Sequence, residues 1–446
     1  MVTLTFGETS IPADSYSVRS GGTVQVASAF ERSVAIVGGM DTDNGTATEG
    51  ELVAVSSLDD AADLFGEDSE LYTQIEGAFL NGAATIYGAP VAENALDETM
   101  SGSESGTLSN APIFNPNIHP DHTIEVSDDT EGTDMTVDIV YDSPSQPSDT
   151  DTVLINPITG EWYADASSDY TFSYTNGDYE GLTNAVADEA PRVTAVCTES
   201  ESVINAYEAE LQNAADDYGF SSGVYGATPF ADTDSPDITG FTSPFDSERI
   251  STVMSPYGYV DDAETEMVRT VGFVAGEVAS LPLGESATAN SVNGLTGLRT
   301  DLSPNQAGDL IDKGVLPLID YPGVEIVKDM TTSSDQRFER IYTMNIADEI
   351  VTLLHEVNRQ YIGEQPRDRT IRNLRRSVKN MLSGLTETEP PLLDTLGETK
   401  PYAVEVERSD SDDNVFNERV GVKPAGVIDA IDVSVTLGDV VDITRR

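Results

Sequence analysis

Short apolar runs alternate with amphipathic segments over most of this chain, a pattern typical of α/β domains. The apolar runs at 33–38, 51–56 and 84–91 each predict a strand. Two segments between them, 58–65 and 71–80, carry apolar residues at helical spacing and are followed by helix-ending residues. Residues 30–92 therefore predict an α/β unit.

The same alternation returns between residues 190 and 330. Ser303 precedes one predicted helix as an N-cap, and Gly314 follows it as a terminator. This half predicts a continuation of the α/β domain. Its predicted strands are 193–197, 223–228 and 250–254, and its predicted helices are 203–218, 264–278 and 304–313.

Residues 95–188 differ in composition, being rich in Ser, Thr, Asp, Gly and Pro. Val137, Ile139 and Tyr141 alternate with polar residues on one predicted strand, and Tyr170 and Phe172 do so on another. This pattern predicts a β-rich insertion that is exposed and separately packed.

The end of the chain predicts two helices followed by strands. The first helix covers about 342–361, and the second begins after Pro366 and runs to about Leu382. Strands are predicted at 402–407, 415–422 and 427–437, with a tail at 440–446.

Together these patterns predict an α+β multidomain fold. It comprises α/β core domains, a β-rich insertion and a carboxy-terminal α/β unit; the family resemblance given below implies that this unit is an assembly domain completed by terminal arm strands. The chain of 446 residues is long enough for several domains. The predicted division is an arm at 1–19, an α/β domain at 20–94 plus 189–334, the insertion at 95–188, the assembly domain at 335–438 and an arm at 439–446.

The net charge is strongly negative, since 79 Asp and Glu face 23 Lys and Arg to give -56 at pH 7. Molar salt shortens the Debye length to about 3 Å and removes most of the resulting repulsion. We therefore expect a protein that works in a halophile's salt-filled cytoplasm or in brine; an acidic protein with a basic partner is the alternative. The charge argues against nucleic-acid binding over most of the surface, because such binding depends on cations that neutralise phosphates.

Basic residues concentrate late in the chain, with 17 of the 23 after residue 312. In the second helix of the carboxy-terminal part, Arg372, Arg375, Arg376 and Lys379 recur at spacings of three and four. They form a stripe beside the apolar face of that helix. Two explanations are open: ion pairs within the subunit, or contact with an acidic partner.

Both ends of the chain are apolar enough to form strands, and each strand can be an edge of its own sheet or a strand donated to a neighbour. The sequence leaves both possibilities open. The residues concerned are Thr3, Leu4, Thr5 and Phe6 at one end, and Val440, Val441, Asp442, Ile443 and Thr444 at the other.

Residues able to carry catalysis or hold a metal are few. His119 and His122 are three apart, but no third ligand is spaced to complete a metal site. His355 lies on a predicted helix beside apolar residues, and Cys197, the only cysteine, lies in an apolar run. Gly38 and Gly39 follow the strand predicted at 33–38, but the sequence there lacks the lysine of a phosphate-binding loop. We expect no enzyme activity, no metal and no cofactor.

No run of about 18 apolar residues is present, so we expect no membrane-spanning helix. The first residues have neither the basic nor the apolar region of a secretory signal. We expect a soluble protein that is used in the cytoplasm or released by lysis.

The ordered series of segments resembles the contractile tail sheath proteins of tailed phages and related contractile injection particles. The resemblance covers nearly the whole chain except the insertion, where that family varies. The segments at 81–83 and 89–91 depart mildly from the family's pattern. The matching segments are SVAIVGG, LVAVSSLDDAADLFGE and FLNGAATIYGAPV in the first part, and those at 293–300, 314–316, 330–332, 346–350, 361–364, 423–425 and 431–437 in the second.

The resemblance implies a structural subunit that polymerises with itself as stacked hexameric rings, in a six-fold helical array around a tail tube. Contraction of this array would drive the tube through the target cell envelope. The implied partners are an acidic tail tube protein and the baseplate and tail terminator proteins, with no direct nucleic acid and no membrane insertion. The implied location is a virion tail or contractile particle, assembled in the host cytoplasm of a halophile.

The resemblance also suggests roles for the charged stripe and the terminal segments. A carboxy-terminal domain that faces the tube would bring Arg372, Arg375, Arg376 and Lys379 against an acidic tube surface. The two terminal segments would be arm strands between subunits. The alternative function is a non-contractile surface-lattice or shell protein of a halophile, which we would expect to carry a signal peptide.

Overall fold

The computed structural model describes residues 2–4, 32–118, 122–179, 182, 186, 189–216, 219–231, 233, 236–395, 400–409 and 415–426. Within them the fold is mixed α/β, with seven helices and four sheets. The helices are α1 (Leu58–Phe65), α2 (Glu70–Leu80), α3 (Glu201–Asp216), α4 (Val271–Ser280), α5 (Pro304–Ile311), α6 (Ile341–Arg359) and α7 (Asp368–Gly384).

The twenty strands of the described residues follow in chain order. They are β1 (Val2–Leu4), β2 (Ser33–Gly38), β3 (Val53–Val55), β4 (Thr85–Pro90), β5 (Ala92–Thr107), β6 (Glu125–Asp128), β7 (Thr133–Asp134), β8 (Thr136–Ile139), β9 (Thr152–Ile155), β10 (Glu161–Asp178), β11 (Val193–Val196), β12 (Ser222–Gly226), β13 (Ile250–Met254), β14 (Tyr257–Tyr259), β15 (Met267–Arg269), β16 (Gly297–Leu298), β17 (Leu316–Asp320), β18 (Val324–Ile326), β19 (Tyr402–Arg408) and β20 (Phe416–Val422).

The largest sheet has eight strands in the order β18-β17-β13-β12-β11-β2-β4-β3. Its inner pairs are parallel, and the outermost strands β3 and β18 join antiparallel. A parallel sheet has both faces covered, which explains why β2 is buried at every position and reads as one apolar run. One core contains residues of α1, α2 and α4, and a second contains residues of α3.

The insertion forms a six-stranded sheet in which β5 and β10 make a long antiparallel pair. A separate apolar core lies under it, built around Trp162, Tyr170 and Phe172. The insertion contacts the α/β part of the chain where the ring of Tyr141 packs against that of Tyr257 in β14, with centroids 5.5 Å apart.

The carboxy-terminal part packs α6 and α7 against a three-stranded sheet of order β1-β20-β19. Ile346, Ile350 and Leu353 of α6 are buried in its core, as are Leu374 and Val378 of α7. The apolar face predicted for the second of these helices is therefore confirmed.

Most predicted elements are confirmed within a few residues, but the helix predicted at 264–278 is wrong in its first part. Met267–Arg269 is the strand β15, which pairs with β14, and α4 begins only at Val271. The side chain of Arg269 is held by Glu70 and Glu199, which are distant in sequence. Because those contacts are tertiary, helical spacing could not anticipate the strand.

One smaller difference concerns the end of a strand. Tyr141 lies after the end of β8 at Ile139, so it is not on the strand predicted for it. The strand predicted at 427–437 and the tail at 440–446 lie outside the described residues. No helix in the described part of the chain is long and apolar enough to span a membrane.

Candidate assembly surfaces

The stripe of cations on α7 is exposed. The side chains of Arg372, Arg376 and Lys379 are open to solvent, as are those of Arg367 and Arg369 at the start of the helix. Thr370, Leu374 and Val378 of the same helix are buried. The helix thus presents one apolar face to the subunit and one basic face to its surroundings.

Arg375 differs from the other members of the stripe. Its Nη2 atom donates a hydrogen bond to the carbonyl oxygen of Val406, at 2.6 Å, and the side chain is half-buried. Arg375 therefore fastens α7 to β19, and only part of its charge is available to a partner.

Ion pairs with the described residues do not account for the exposed members of the stripe. In the described part of the chain, Arg372, Arg376 and Lys379 have no carboxylate within ion-pair distance, whereas Arg249, Arg269 and Arg340 each bind a buried carboxylate. The contrast leaves a basic surface on a chain whose net charge is -56.

The position of the cations on α7 also works against the stability of the isolated helix. Arg367 is the N-cap and makes no side-chain capping bond, and Arg369 lies in the first turn, where the only acid is Asp368. The amino-terminal end of a helix carries a partial positive charge, so cations there are unfavourable by a few tenths of a kcal/mol each.

The three-stranded sheet places the first residues of the chain beside its last described strand. Val2, Thr3 and Leu4 pair antiparallel with Val422, Gly421 and Val420 of β20. Thr5, Phe6 and the whole segment Val440, Val441, Asp442, Ile443 and Thr444 lie outside the described residues. The structure thus identifies β20 as the strand that receives the amino-terminal segment.

One buried carboxylate lies on the inner face of this sheet. The Nδ2 atom of Asn358 on α6 donates to Oε2 of Glu418 on β20, at 2.8 Å. Burial raises the pKa of Glu418 above its ordinary value, and the hydrogen bond from Asn358 offsets only part of this effect. We therefore expect the packing of β20 on α6 to depend on pH.

The described histidines and the cysteine lie in different parts of the fold. His122 lies 3.3 Å from a carboxylate oxygen of Glu93 and against the ring of Phe114, His355 is half-buried on α6, and Cys197 is fully buried. His119 is outside the described residues. No cluster of three or more potential ligands suited to a metal ion occurs in the described ranges.

Three buried arginines form four ion pairs that were not anticipated from the sequence. Arg249 binds Asp348 of α6, Arg340 binds Asp329, and Arg269 binds both Glu70 and Glu199. The first of these joins the central sheet to the carboxy-terminal part. Isolated arginines in an acidic chain were the available signal, but the partners of Arg249 and Arg269 lie 70 to 199 residues away along the sequence and could not be identified from it.

The sequence of residues 173–332 matches a model of the phage tail sheath protein central domain. That domain belongs to structural sheath proteins and not to enzymes. A comparison with curated protein sequences found no match.

Solved structures show the same fold over nearly the whole chain. The helical sheath of the anti-feeding prophage in its contracted state aligns over 96% of this chain and 100% of that one, with 13% identity and a TM-score of 0.56. The sheath tail protein of Listeria innocua aligns over 89% and 93%, with 12% identity and a TM-score of 0.54. That of Desulfitobacterium hafniense aligns over 87% and 93%, with 12% identity and a TM-score of 0.53. The fold is therefore that of contractile sheath proteins.

Proposed function

We propose that this chain is the sheath subunit of a contractile tail or injection particle. The observation that carries the proposal is the similarity of fold to a contracted helical sheath over 96% of this chain and 100% of that one. The sequence of residues 173–332 matches the sheath central domain, and this match is a second, independent support for the proposal. Subunits would stack as hexameric rings around a tail tube, and contraction would drive the tube through the target envelope.

The basic stripe on α7 would face the tube. Arg372, Arg376 and Lys379 are exposed and have no carboxylate partner among the described residues, which supports a role in binding an acidic surface. Exposed ion pairs contribute only about 0–1 kcal/mol each, so many subunits would hold the tube by summing weak contacts. Such contacts would break readily when the tube slides.

The terminal segments would link neighbouring subunits. Val2–Leu4 pairs with β20 in antiparallel register, and the same hydrogen bonds would form with a strand from a neighbouring subunit, so a donor-strand role fits this pairing. Backbone pairing would keep subunits connected while the rings rotate. The segment at 440–444 would act in the same way.

The charge supports a setting of high salt. The stretch 92–178 contains eighteen Asp and Glu residues and no Lys or Arg, so copies that approach each other in a polymer repel strongly in dilute buffer. Molar salt would screen this repulsion. We infer a virion tail or contractile particle of a halophile, assembled in the host cytoplasm with tube, baseplate and tail terminator proteins.

Negative-stain electron microscopy of the purified protein, at low salt and at molar KCl, tests the proposal. The expected result is striated hollow tubes that form in molar salt and fall apart on dilution. Flat lattices would instead indicate a surface-layer protein. Discrete particles at every salt concentration would contradict a sheath.

A further inference from the structure

The strand β5 has one backbone edge that no other strand covers. It pairs with β10 without interruption from Ala92, opposite Asp178, to Met100, opposite Tyr170. The other strands that contact this part of β10 lie on the opposite side of it, where β6 pairs with residues 170–173. Among the described residues, nothing pairs with the outer edge of β5 over the nine residues 92–100.

An open edge of this length is unusual. Nine residues at about 3.3 Å each extend over about 30 Å, which is longer than a typical strand. Natural proteins usually shorten, bend or cover such edges because their free N–H and C=O groups attract other strands. Here the register with β10 is broken only beyond Met100, where Gly102 adopts a positive φ of 61°.

The two faces of this edge have different chemistry. Leu96 and Met100 are half-buried against the core of the insertion. Glu98 lies between them on the same face, where its carboxylate accepts hydrogen bonds from Ser109 and Tyr174, so a strand placed beside this face would contact mainly Leu96 and Met100. On the opposite face, Ala95, Asp97 and Thr99 are exposed. A segment that pairs here therefore meets apolar and polar surroundings at alternate positions.

Charge decides which kind of segment fits. The stretch 92–178 has no Lys or Arg and eighteen Asp and Glu residues. If a second subunit placed its own β-rich insertion at this edge, acidic residues would therefore face acidic residues. A cationic segment would gain attraction instead. We propose that the edge at 92–100 receives, by strand addition, an extended segment of another protein in which apolar and basic residues alternate. This surface is distinct from α7 and does not depend on the proposed function.

Hydrogen exchange on the full-length protein tests this proposal. The probe is a nine-residue peptide of alternating valine and lysine, and the control is the same peptide with proline in place of each valine. Both carry the same charge, but proline cannot donate the backbone hydrogen bonds of a strand. With the valine peptide at about ten times its Kd, we expect exchange at 92–100 to slow about tenfold, and no such change with the proline peptide.

A pair of variants separates this edge from general charge attraction. Replacing Asp97→Asn, an exposed acid on β5, should weaken binding of the valine peptide about twofold. Replacing Asp142→Asn and Asp149→Asn, two exposed acids in a loop of the same insertion, should leave the Kd unchanged.

Three results would overturn the proposal. One is the absence of protection at 92–100 with the valine peptide. A second is equal protection by the proline peptide, or protection spread over the acidic surface, which would indicate attraction by charge alone. The third is protection of 92–100 that rises with protein concentration when no peptide is present, which would identify a second copy as the occupant.

Discussion

The guanidinium of Arg249 donates hydrogen bonds to both carboxylate oxygens of Asp348, at 3.1 and 3.0 Å, and both side chains are buried. Arg249 immediately precedes β13 of the central sheet, and Asp348 lies in α6 of the carboxy-terminal part. One ion pair therefore connects the two parts of the subunit. Because the pair is buried, removing either partner should lower the free energy of unfolding, since the remaining charge would have no counterion.

We expect Asp348→Ala to lower the free energy of unfolding by about 3–5 kcal/mol. Combining Arg249→Met with Asp348→Leu should restore much of that loss, because apolar side chains of similar volume need no counterion. Denaturant titration of the unassembled subunit measures both. The exposed pair Arg337–Asp335 is the control, and its removal should leave the midpoint unchanged. A double variant as unstable as Asp348→Ala would contradict this account.

The close packing of α2 on α4 depends on glycine. A Cβ at Gly276 would lie 2.5 Å from the Cα atom of Ala78, and backbone cannot move aside as a flexible side chain can. We expect Gly276→Ala to destabilise the subunit by about 1–3 kcal/mol through overpacking. Gly308→Ala on α5 should stabilise it by about 0.5–1 kcal/mol, because a Cβ there meets nothing within 4 Å and alanine favours the helix. Thermal unfolding distinguishes the two, and equal effects would refute the argument.

Glu418 should make stability depend on pH. Its pKa is raised in the folded state by burial, so the folded state holds the proton more firmly than the unfolded chain does. The stabilisation that protonation provides is complete below the unfolded pKa of about 4.3 and is lost as the pH rises through the higher folded value. Glu418→Gln should therefore raise the unfolding midpoint at neutral pH, and the gain should shrink in acid.

The control for Glu418 lies on the neighbouring strand. Glu405 of β19 is exposed, and Glu405→Gln should leave the pH profile of unfolding close to that of the unmodified protein. If Glu418→Gln and Glu405→Gln give the same profile, the buried carboxylate is not the cause.

Reversing the charge of the basic stripe should separate folding from tube binding. Arg372→Glu, Arg376→Glu and Lys379→Glu replace exposed side chains, so the circular dichroism spectrum and unfolding midpoint should change little. Sheaths that assemble on tubes should be lost, as counted by electron microscopy. Normal numbers of tube-loaded particles would exclude the stripe as a tube contact.

A matched triple variant controls for net charge. Arg337→Glu, Arg359→Glu and Lys400→Glu change the charge by the same amount at exposed positions outside α7. This variant should still assemble on tubes. Failure of both triples would show that total charge, and not the position of the stripe, governs assembly.

A disulfide can reveal whether the first strand is donated. Thr3 is directly opposite Gly421, and opposed residues of antiparallel strands have Cα atoms about 4.5–5.5 Å apart, within disulfide range. In the variant Thr3→Cys plus Gly421→Cys the only other thiol, Cys197, is fully buried. If the strand is donated, oxidised sheaths should give a ladder of linked subunits on denaturing gels. Monomers that are cross-linked only internally would show that each subunit keeps its own strand.

Deleting residues 1–6 provides an independent test of the same linkage. The expected product is soluble, folded protein that does not polymerise, measured by gel filtration and circular dichroism. Long sheaths from the deleted protein would show that this segment is not the linkage.

The local sequence pattern was sufficient to predict elements that are marked by capping residues or by a continuous apolar run. Ser57 is the N-cap of α1 and Gly66 is its C-cap. Ser303 is the N-cap of α5 and forms a capping box with Gln306. β2 was predictable because a strand covered on both faces is apolar throughout. The strand β15 was missed because Met267–Arg269 is short and is fixed by contacts with residues far away.

For the assembly surfaces, the sequence determined that a basic stripe exists beside an apolar face on α7. Only the tertiary structure decided that Arg372, Arg376 and Lys379 stay exposed without a carboxylate in the described residues, while Arg375 turns to the carbonyl of Val406. Spacing along a helix fixes which side chains share a face. The distance from each of them to an acid depends on how other elements pack against that face, which is a property of the folded chain.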